Sequence, residues 1–394
     1  MGAFLDKPKT QKISEEGSRN ELKFGVACMQ GWRIDMEDAH RIVFPLPGKL
    51  ADWSFYAIFD GHAGSKVAEN ASKTLIDVIL ARKEFQELQN DSSRHSDKDL
   101  IRRGIVQGFL DFDDTLEKDE RSGSTAITAF VTPKHIILGN CGDSRAMVVS
   151  KQQVVQETVD HKPADEKEAK RIKKAGGEVV LQRINGALAV SRSLGDFEYK
   201  RNTGLENTEQ LVSAEPEVTF YERRPDEDQI LFLACDGIWD VFSSDILKNY
   251  LIHRLSCEES FARITEQLLD HCLHLGSRDN MSALLVGLDS CPKVDPEMKK
   301  KDDELNKSIA TLAHNHCTES SKSETFSSNQ IFELIKTCDL DVEGLPGGLI
   351  SKRYIIESVF NKFNPNSDES SPEVIRLAPT NYGLGMFLFI GTEQ

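Results

Sequence analysis

The chain has 394 residues, of which 39% are hydrophobic and 28% charged, a composition that sets aside disordered, collagen-like and fibrous classes. Its 48 basic and 64 acidic residues leave a net charge of −16 with no basic stripe, so no nucleic acid is expected as a partner. The longest apolar runs, Ile230 to Cys235 and Met386 to Ile390, fall far short of the roughly 18 residues of a membrane-spanning helix.

Met1 to Ile13 has neither a secretory apolar core nor the Arg-rich make-up of a transit peptide. The eight cysteines are scattered and form no Cys-x-x-Cys pair, which disfavours zinc and a disulfide scaffold and fits a reducing compartment. A cytoplasmic location is expected, with the nucleus as the alternative. In chain order, β-branched and aromatic runs predict strands at Phe24 to Met29, Phe55 to Phe59, Thr125 to Val131, Ile136 to Cys141, Ala146 to Val149, Ile230 to Cys235 and Met281 to Leu288. Between them, helical patterns run over Ser65 to Leu80, Lys98 to Leu116, Ala164 to Ala175, Ser243 to Leu255 and Glu258 to Leu275, the last with Ser256 and Glu259 at capping-box spacing. The three strands from Thr125 to Val149 have short connections and no intervening helix, which demands antiparallel pairing and disfavours a parallel doubly wound sheet.

Pro292, Pro296 and a run of Lys, Asp and Glu place a boundary after Cys291. Three parts are therefore expected: an arm over 1–22, a main domain over 23–291 and a helical extension over 292–394, with helices at Gln330 to Cys338 and Lys352 to Phe363.

Function is legible where acids meet strand ends. Asp60 ends one apolar run and leads into Gly61-His62-Ala63-Gly64, Asp236 ends another before Gly237, and Asp279 with Asn280 precedes Met281. Asp143 lies in a short connection between two strands, and Glu37-Asp38 follows the first strand. A single Asp-Gly after a strand is usually only a turn. Four or five acids at one rim repel each other, however, and hard divalent cations with oxygen ligands, Mg²⁺ or Mn²⁺ in preference to zinc, would neutralise them. A two-metal hydrolytic site follows as the sharper reading.

Arg33-Ile-Asp-Met-Glu37-Asp38, Phe59-Asp60-Gly61-His62-Ala63-Gly64, Ser122-Gly-Ser-Thr-Ala126, Asn140-Cys-Gly-Asp143-Ser-Arg145, Ala189-Val-Ser-Arg-Ser-Leu-Gly-Asp196, Ala234-Cys-Asp236-Gly-Ile-Trp-Asp240 and Ser277-Arg-Asp279-Asn280-Met281 occur in that order. Together they resemble the successive motifs of the metal-dependent protein serine/threonine phosphatases of type 2C, over about Phe24 to Asp289. The tail resembles, more loosely, the helical extension of the animal alpha and beta members, whose opening residues Met1 to Pro8 also resemble; Arg376 to Gln394 has no counterpart.

The resemblance implies an α+β fold, a four-layer αββα sandwich of two antiparallel sheets flanked by helices, with two Mn²⁺ or Mg²⁺ ions in a cleft at one edge. Carried over by motif, Asp60 would bridge both metals, the Gly61 carbonyl with Asp236 and Asp279 would complete the ligand set, and Glu37 and Asp38 would act through bound waters. Asp143 would serve a weaker third metal. Water would attack phosphorus directly, with no phosphoenzyme. Arg33, a planar and permanently charged fork, suits substrate phosphate, and His62 suits protonation of the leaving seryl or threonyl oxygen. Leu181 to Glu209 resembles the flap beside the family's active site. Phosphoserine and phosphothreonine proteins are the expected partners of a monomer, and a myristoyl group on Gly2 would give at most weak membrane contact. A phosphatase-like scaffold without turnover and a phosphatase for a nucleotide or small metabolite are the other readings. Intact Asp60, Asp236, Asp279, Arg33 and His62 oppose the first, and the missing P-loop opposes a nucleotide.

Overall fold

The computed structural model describes residues 4–19, 22–320 and 327–363. The expected acylation at Gly2, the loop Asn364 to Pro372, and the stretch from Arg376 to Gln394 lie outside the described residues.

Among the described residues, eleven strands build two sheets: β1 (Phe4–Arg19), β2 (Leu22–Arg33), β3 (Ala39–Val43), β4 (Ser54–Phe59), β5 (Ala126–Val131), β6 (His135–Cys141), β7 (Arg145–Ser150), β8 (Gln153–Glu157), β9 (Glu217–Glu222), β10 (Asp228–Ala234) and β11 (Met281–Gly287). One sheet has the order β1-β2-β11-β10-β7-β8 and the other β9-β6-β5-β4-β3, with every neighbouring pair antiparallel. The two faces that meet are apolar: Val26, Ile58, Ile127, Leu138, Val148, Leu233 and Leu284 interdigitate between the sheets. On the outer face of the five-stranded sheet, α1 (Lys66–Ala81), α2 (Lys83–Asn90) and α3 (Lys98–Thr115) cover Phe55, Phe59 and Phe130. On the other side, α5 (Ser244–Cys257) and α6 (Phe261–Leu275) cover Met29, Phe232 and Leu285, while α4 (Glu166–Lys174) lies with the flap. The expected four-layer αββα sandwich is the fold.

Three details differ from the sequence reading. The strands expected over Ile136 to Cys141 and Ala146 to Val149 do not pair; β6 pairs with β5 and β9, β7 with β8 and β10, so the chain crosses from one sheet to the other at Asp143. Ser256 is no helix cap: its Oγ bonds back to Ile252 O, and α6 is instead capped by Ser260, which accepts from Arg263 N. Lastly, the charged stretch after Pro296, a boundary signal in the sequence, is α7 (Pro296–Ser320), because Lys and Glu are good helix formers and Glu297 is acidic in the first turn.

α7, α8 (Ser328–Lys336) and α9 (Arg353–Phe363) share a small core of Ile309, Ala313, Ile331, Ile335 and Ile356. α8 carries a true capping box from Ser327 and Gln330. This helical part is pinned to the sandwich by a buried ion cluster, in which Asp302 of α7 accepts from Arg254 Nη1 of α5 at 2.9 Å and from Lys352 Nζ at 2.5 Å.

Candidate metal centre and phosphate site

The acids singled out in the sequence gather at one end of the sandwich. Arg33 is the last residue of β2, Asp60 follows β4, Asp236 follows β10 and opens the helical turn Asp236–Trp239, and Asp279 stands just before β11. Asp143 occupies the crossing between the sheets and is buried. Strand ends are where apolar runs stop and backbone turns begin, so an acid there keeps its oxygens at the rim while its backbone stays in the ladder.

The tightest grouping among the described residues is Asp38, Asp60 and Cys235, whose ligand atoms all lie within 4.8 Å of one another. Burial, then Asp236, Asp38, Asp143 and Asp279, push the Asp60 carboxyl well above the usual range. Asp236 is pushed up likewise by burial and by Asp143, Asp279 and Asp240. Burial raises Asp38 to about 7, although Ser282 Oγ donates to its Oδ2 at 2.6 Å. Burial, then Asp38, Asp60 and Asp236, also raise the Cys235 thiol well above its ordinary value. Such mutual repulsion at one rim fits divalent cations with oxygen ligands.

The loop bearing Glu37 and Asp38 is clamped by Asn280, a residue the sequence reading passed over except as a neighbour of Asp279. Asn280 Nδ2 donates to Gln30 O at 2.9 Å and Asp35 O at 3.0 Å, while its Oδ1 accepts from Glu37 N at 2.9 Å. Glu37 Oε1 is not among the closest carboxylates; it accepts from Gly64 N at 2.5 Å and shapes the turn after His62. Gly61 has no room for a side chain, since a Cβ there would lie 2.4 Å from Glu37 O.

Two cations enter the cluster. Arg33 Nη2 donates to Asp279 Oδ2 at 2.6 Å, and burial lowers its pKa less than Asp279, Asp236 and Asp60 raise it. Lys162, absent from the sequence reading, bonds Asp143 Oδ2 and is also drawn by Asp236 and Asp160. His62 Nε2 lies 2.7 Å from Asp196 Oδ2; burial opposes the charged ring, yet Asp196, with Asp143 and Glu37, outweighs it and the His62 pKa rises. The segment Leu181 to Glu209 lies over its own core of Ile172, Ile184 and Val212 and is tied down by Arg192, whose Nη2 donates to Glu168 Oε1 at 2.7 Å.

Comparison with known proteins agrees with this geometry. Residues 22–281 match the family described as Protein phosphatase 2C, and residues 282–361 match Protein serine/threonine phosphatase 2C, C-terminal domain. The chain is 44% identical to Protein phosphatase 1B of Homo sapiens over 386 residues, covering 95% of this chain and 80% of that one. It is 42% identical to Protein phosphatase 1A of Bos taurus over 381 residues, covering 94% and 98%. A phosphatase crystal structure from Toxoplasma gondii superimposes with a TM-score of 0.61 over 71% of this chain and 96% of that one; at 22% identity it speaks for the fold alone. Motifs, fold and relatives converge, and the chain belongs to the protein phosphatase 2C family, the metal-dependent protein serine/threonine phosphatases.

Proposed function

We propose that this chain hydrolyses phosphoserine and phosphothreonine in proteins by direct attack of water at a centre for two Mn²⁺ or Mg²⁺ ions, without a phosphoenzyme. The observation that carries this reading is the convergence of Asp38, Asp60, Asp236 and Asp279 at one rim, with Arg33 and Lys162 beside them. Asp60, Asp236, Asp279 and the Gly61 carbonyl would hold the two ions, Glu37 and Asp38 would hold waters, and Asp143 would serve a weaker third ion. When bound, the cations supply a water of lowered pKa and neutralise charge building on the phosphoryl oxygens.

The protein's own groups do the rest. Arg33 spends Nη2 on Asp279, which leaves Nη1 and Nε as donors for a substrate phosphate oxygen. His62, with Nε2 engaged by Asp196, offers Nδ1 to the leaving oxygen. A monomeric state, a cytoplasmic location and membrane contact only through an acyl chain on Gly2 belong to the same proposal and rest on sequence.

The test is hydrolysis of a phosphothreonine peptide, p-nitrophenyl phosphate and ATP side by side, with and without Mn²⁺. Mn²⁺-dependent release from the peptide is expected. Preferred turnover of ATP would transfer the site to another phosphoester, and binding of the peptide without turnover would make the chain a scaffold.

A further inference from the structure

Beside the acidic cluster, Gly61–His62 pairs with Gly123–Ser124, which in turn pairs with Leu194–Gly195. This miniature sheet carries Asp196 to the far side of Gly123 from His62. Asp196 Oδ2 faces His62 Nε2 at 2.7 Å and also accepts from Ser193 Oγ at 2.5 Å. Asp196 is only 4% exposed and adopts φ 53, ψ 42, a left-handed conformation that costs a non-glycine residue on the order of 1 kcal/mol.

The surroundings hold that arrangement in place. Asp196 N donates to Ser122 O at 3.2 Å, and the neighbouring Gly195 N donates to Asp113 Oδ1 at 2.7 Å. Lys200 Nζ spans Asp113 and Ser193 O. Gly123 leaves the space in which the two side chains meet: a Cβ there would lie 2.2 Å from Asp196 Oδ2 and 2.4 Å from His62 Nε2. A buried carboxylate on a disfavoured backbone, seated against a glycine and aimed at one ring nitrogen, is a costly arrangement for a surface flap to keep for anchorage alone.

We propose that Asp196 is the positioning residue for His62, fixing the ring so that Nε2–H stays on the carboxylate and Nδ1 faces the substrate. The inference deepens the general-acid role given to His62 above and rests on it. As the P–O bond to the seryl or threonyl oxygen breaks, the Nδ1–H proton passes to that oxygen; the neutral ring keeps Nε2–H on Asp196 and takes its next proton from water.

The experiment measures kcat and KM at saturating Mn²⁺ on a phosphothreonine peptide and on p-nitrophenyl phosphate, whose phenolate leaves without protonation. The variants are His62→Gln, Asp196→Ala, Asp196→Asn and the double variant His62→Gln/Asp196→Ala. Asp196→Ala is expected to lower peptide kcat on the order of 10- to 100-fold with little change in KM or in turnover of p-nitrophenyl phosphate. The double variant should be no slower than His62→Gln. Asp196→Asn keeps an acceptor oxygen, tolerates the left-handed backbone and should recover part of the peptide rate. Gly123→Ala, which forces the pair apart with both groups present, should reproduce the substrate split and covers the case in which Asp196→Ala does not fold. Peptide kcat unchanged in Asp196→Ala, or equal losses on both substrates, would overturn the proposal if His62→Gln still shows the split. Equal losses in His62→Gln itself would overturn the general-acid reading and this proposal together.

Discussion

Lys352 and Arg254 share one buried carboxylate, and the cluster holds more positive charge than Asp302 can neutralise. Lys352 is 2% exposed; burial first, then Arg254, lowers its pKa from 10.5 to about 8 despite the 2.5 Å bond to Asp302. At about 1.36 kcal/mol per unit, holding it charged at neutral pH costs the folded state about 3 kcal/mol. Between pH 8 and 10.5 the folded chain binds fewer protons here than the unfolded chain, so this contribution makes stability rise with pH across that window and leaves the penalty in full below it. Lys352→Met should therefore stabilise the protein by about 1 to 3 kcal/mol at pH 7, since Asp302 keeps Arg254, and should abolish the gain between pH 8 and 10. Asp302→Asn strands two cations and should destabilise by about 3 to 5 kcal/mol. Urea unfolding followed by circular dichroism at pH 7 and pH 9.5 reads both. A Lys352→Met protein less stable than its parent at pH 7, or a neutral Asp302→Asn, would refute the charge accounting.

Asp60→Asn should abolish Mn²⁺-dependent peptide hydrolysis and Mn²⁺ binding by calorimetry while raising metal-free Tm, because burial and then Asp236 and Asp38 make its carboxylate costly to ionise; a lowered metal-free Tm would contradict this argument from burial and repulsion. Arg33→Ala should chiefly raise KM for the phosphopeptide through lost phosphate binding, and an unchanged KM would return Arg33 to a partner of Asp279 alone. A chain ended after Cys291 keeps every candidate site residue but loses Asp302 beside Arg254 and Glu357 beside His274. It should melt at a lower temperature yet hydrolyse phosphopeptide at 20 °C; a folded but inactive truncation would place part of the site in the helical extension.

The strands visible in the sequence are those flanked on both sides within a sheet. β2, β4, β5, β6, β7, β10 and β11 each show an apolar run because neighbours cover both edges and a layer packs on each face. The four that the sequence did not reveal, β1, β3, β8 and β9, are the four edge strands. Edges face water, so β1 reads Phe-Leu-Asp-Lys-Pro-Lys-Thr-Gln-Lys and β8 reads Gln-Val-Val-Gln-Glu, with the charge and proline that guard an open edge against further pairing. What looked like an arm over 1–22 is, over Phe4–Arg19, the outermost strand of the larger sheet, held by Lys12 to Asp270 at 2.7 Å and Ser14 to Glu266 at 2.5 Å.

The site divides along the same physical line. Asp60, Asp236 and Asp279 were legible because a carboxylate closing an apolar run is a local signal, carried within a few residues. The contacts around these acids and their neighbouring loops are made over long stretches of chain: Asn280 reaches Asp35 across 245 residues, Asp196 reaches His62 across 134, and Arg33 reaches Asp279 across 246. Lys162 sits in the loop after β8, a polar edge strand the sequence did not reveal, and has nothing nearby in sequence to mark it, yet it alone meets Asp143 as a bonded cation among the described side chains. That pairing follows from the crossing of the chain between sheets at Asp143, which turns the carboxylate toward the loop that follows β8. An acid at a strand end can therefore be found by pattern, but its charge state and its partner are decided by which sheet the next strand joins, and that choice is made by packing across the sandwich.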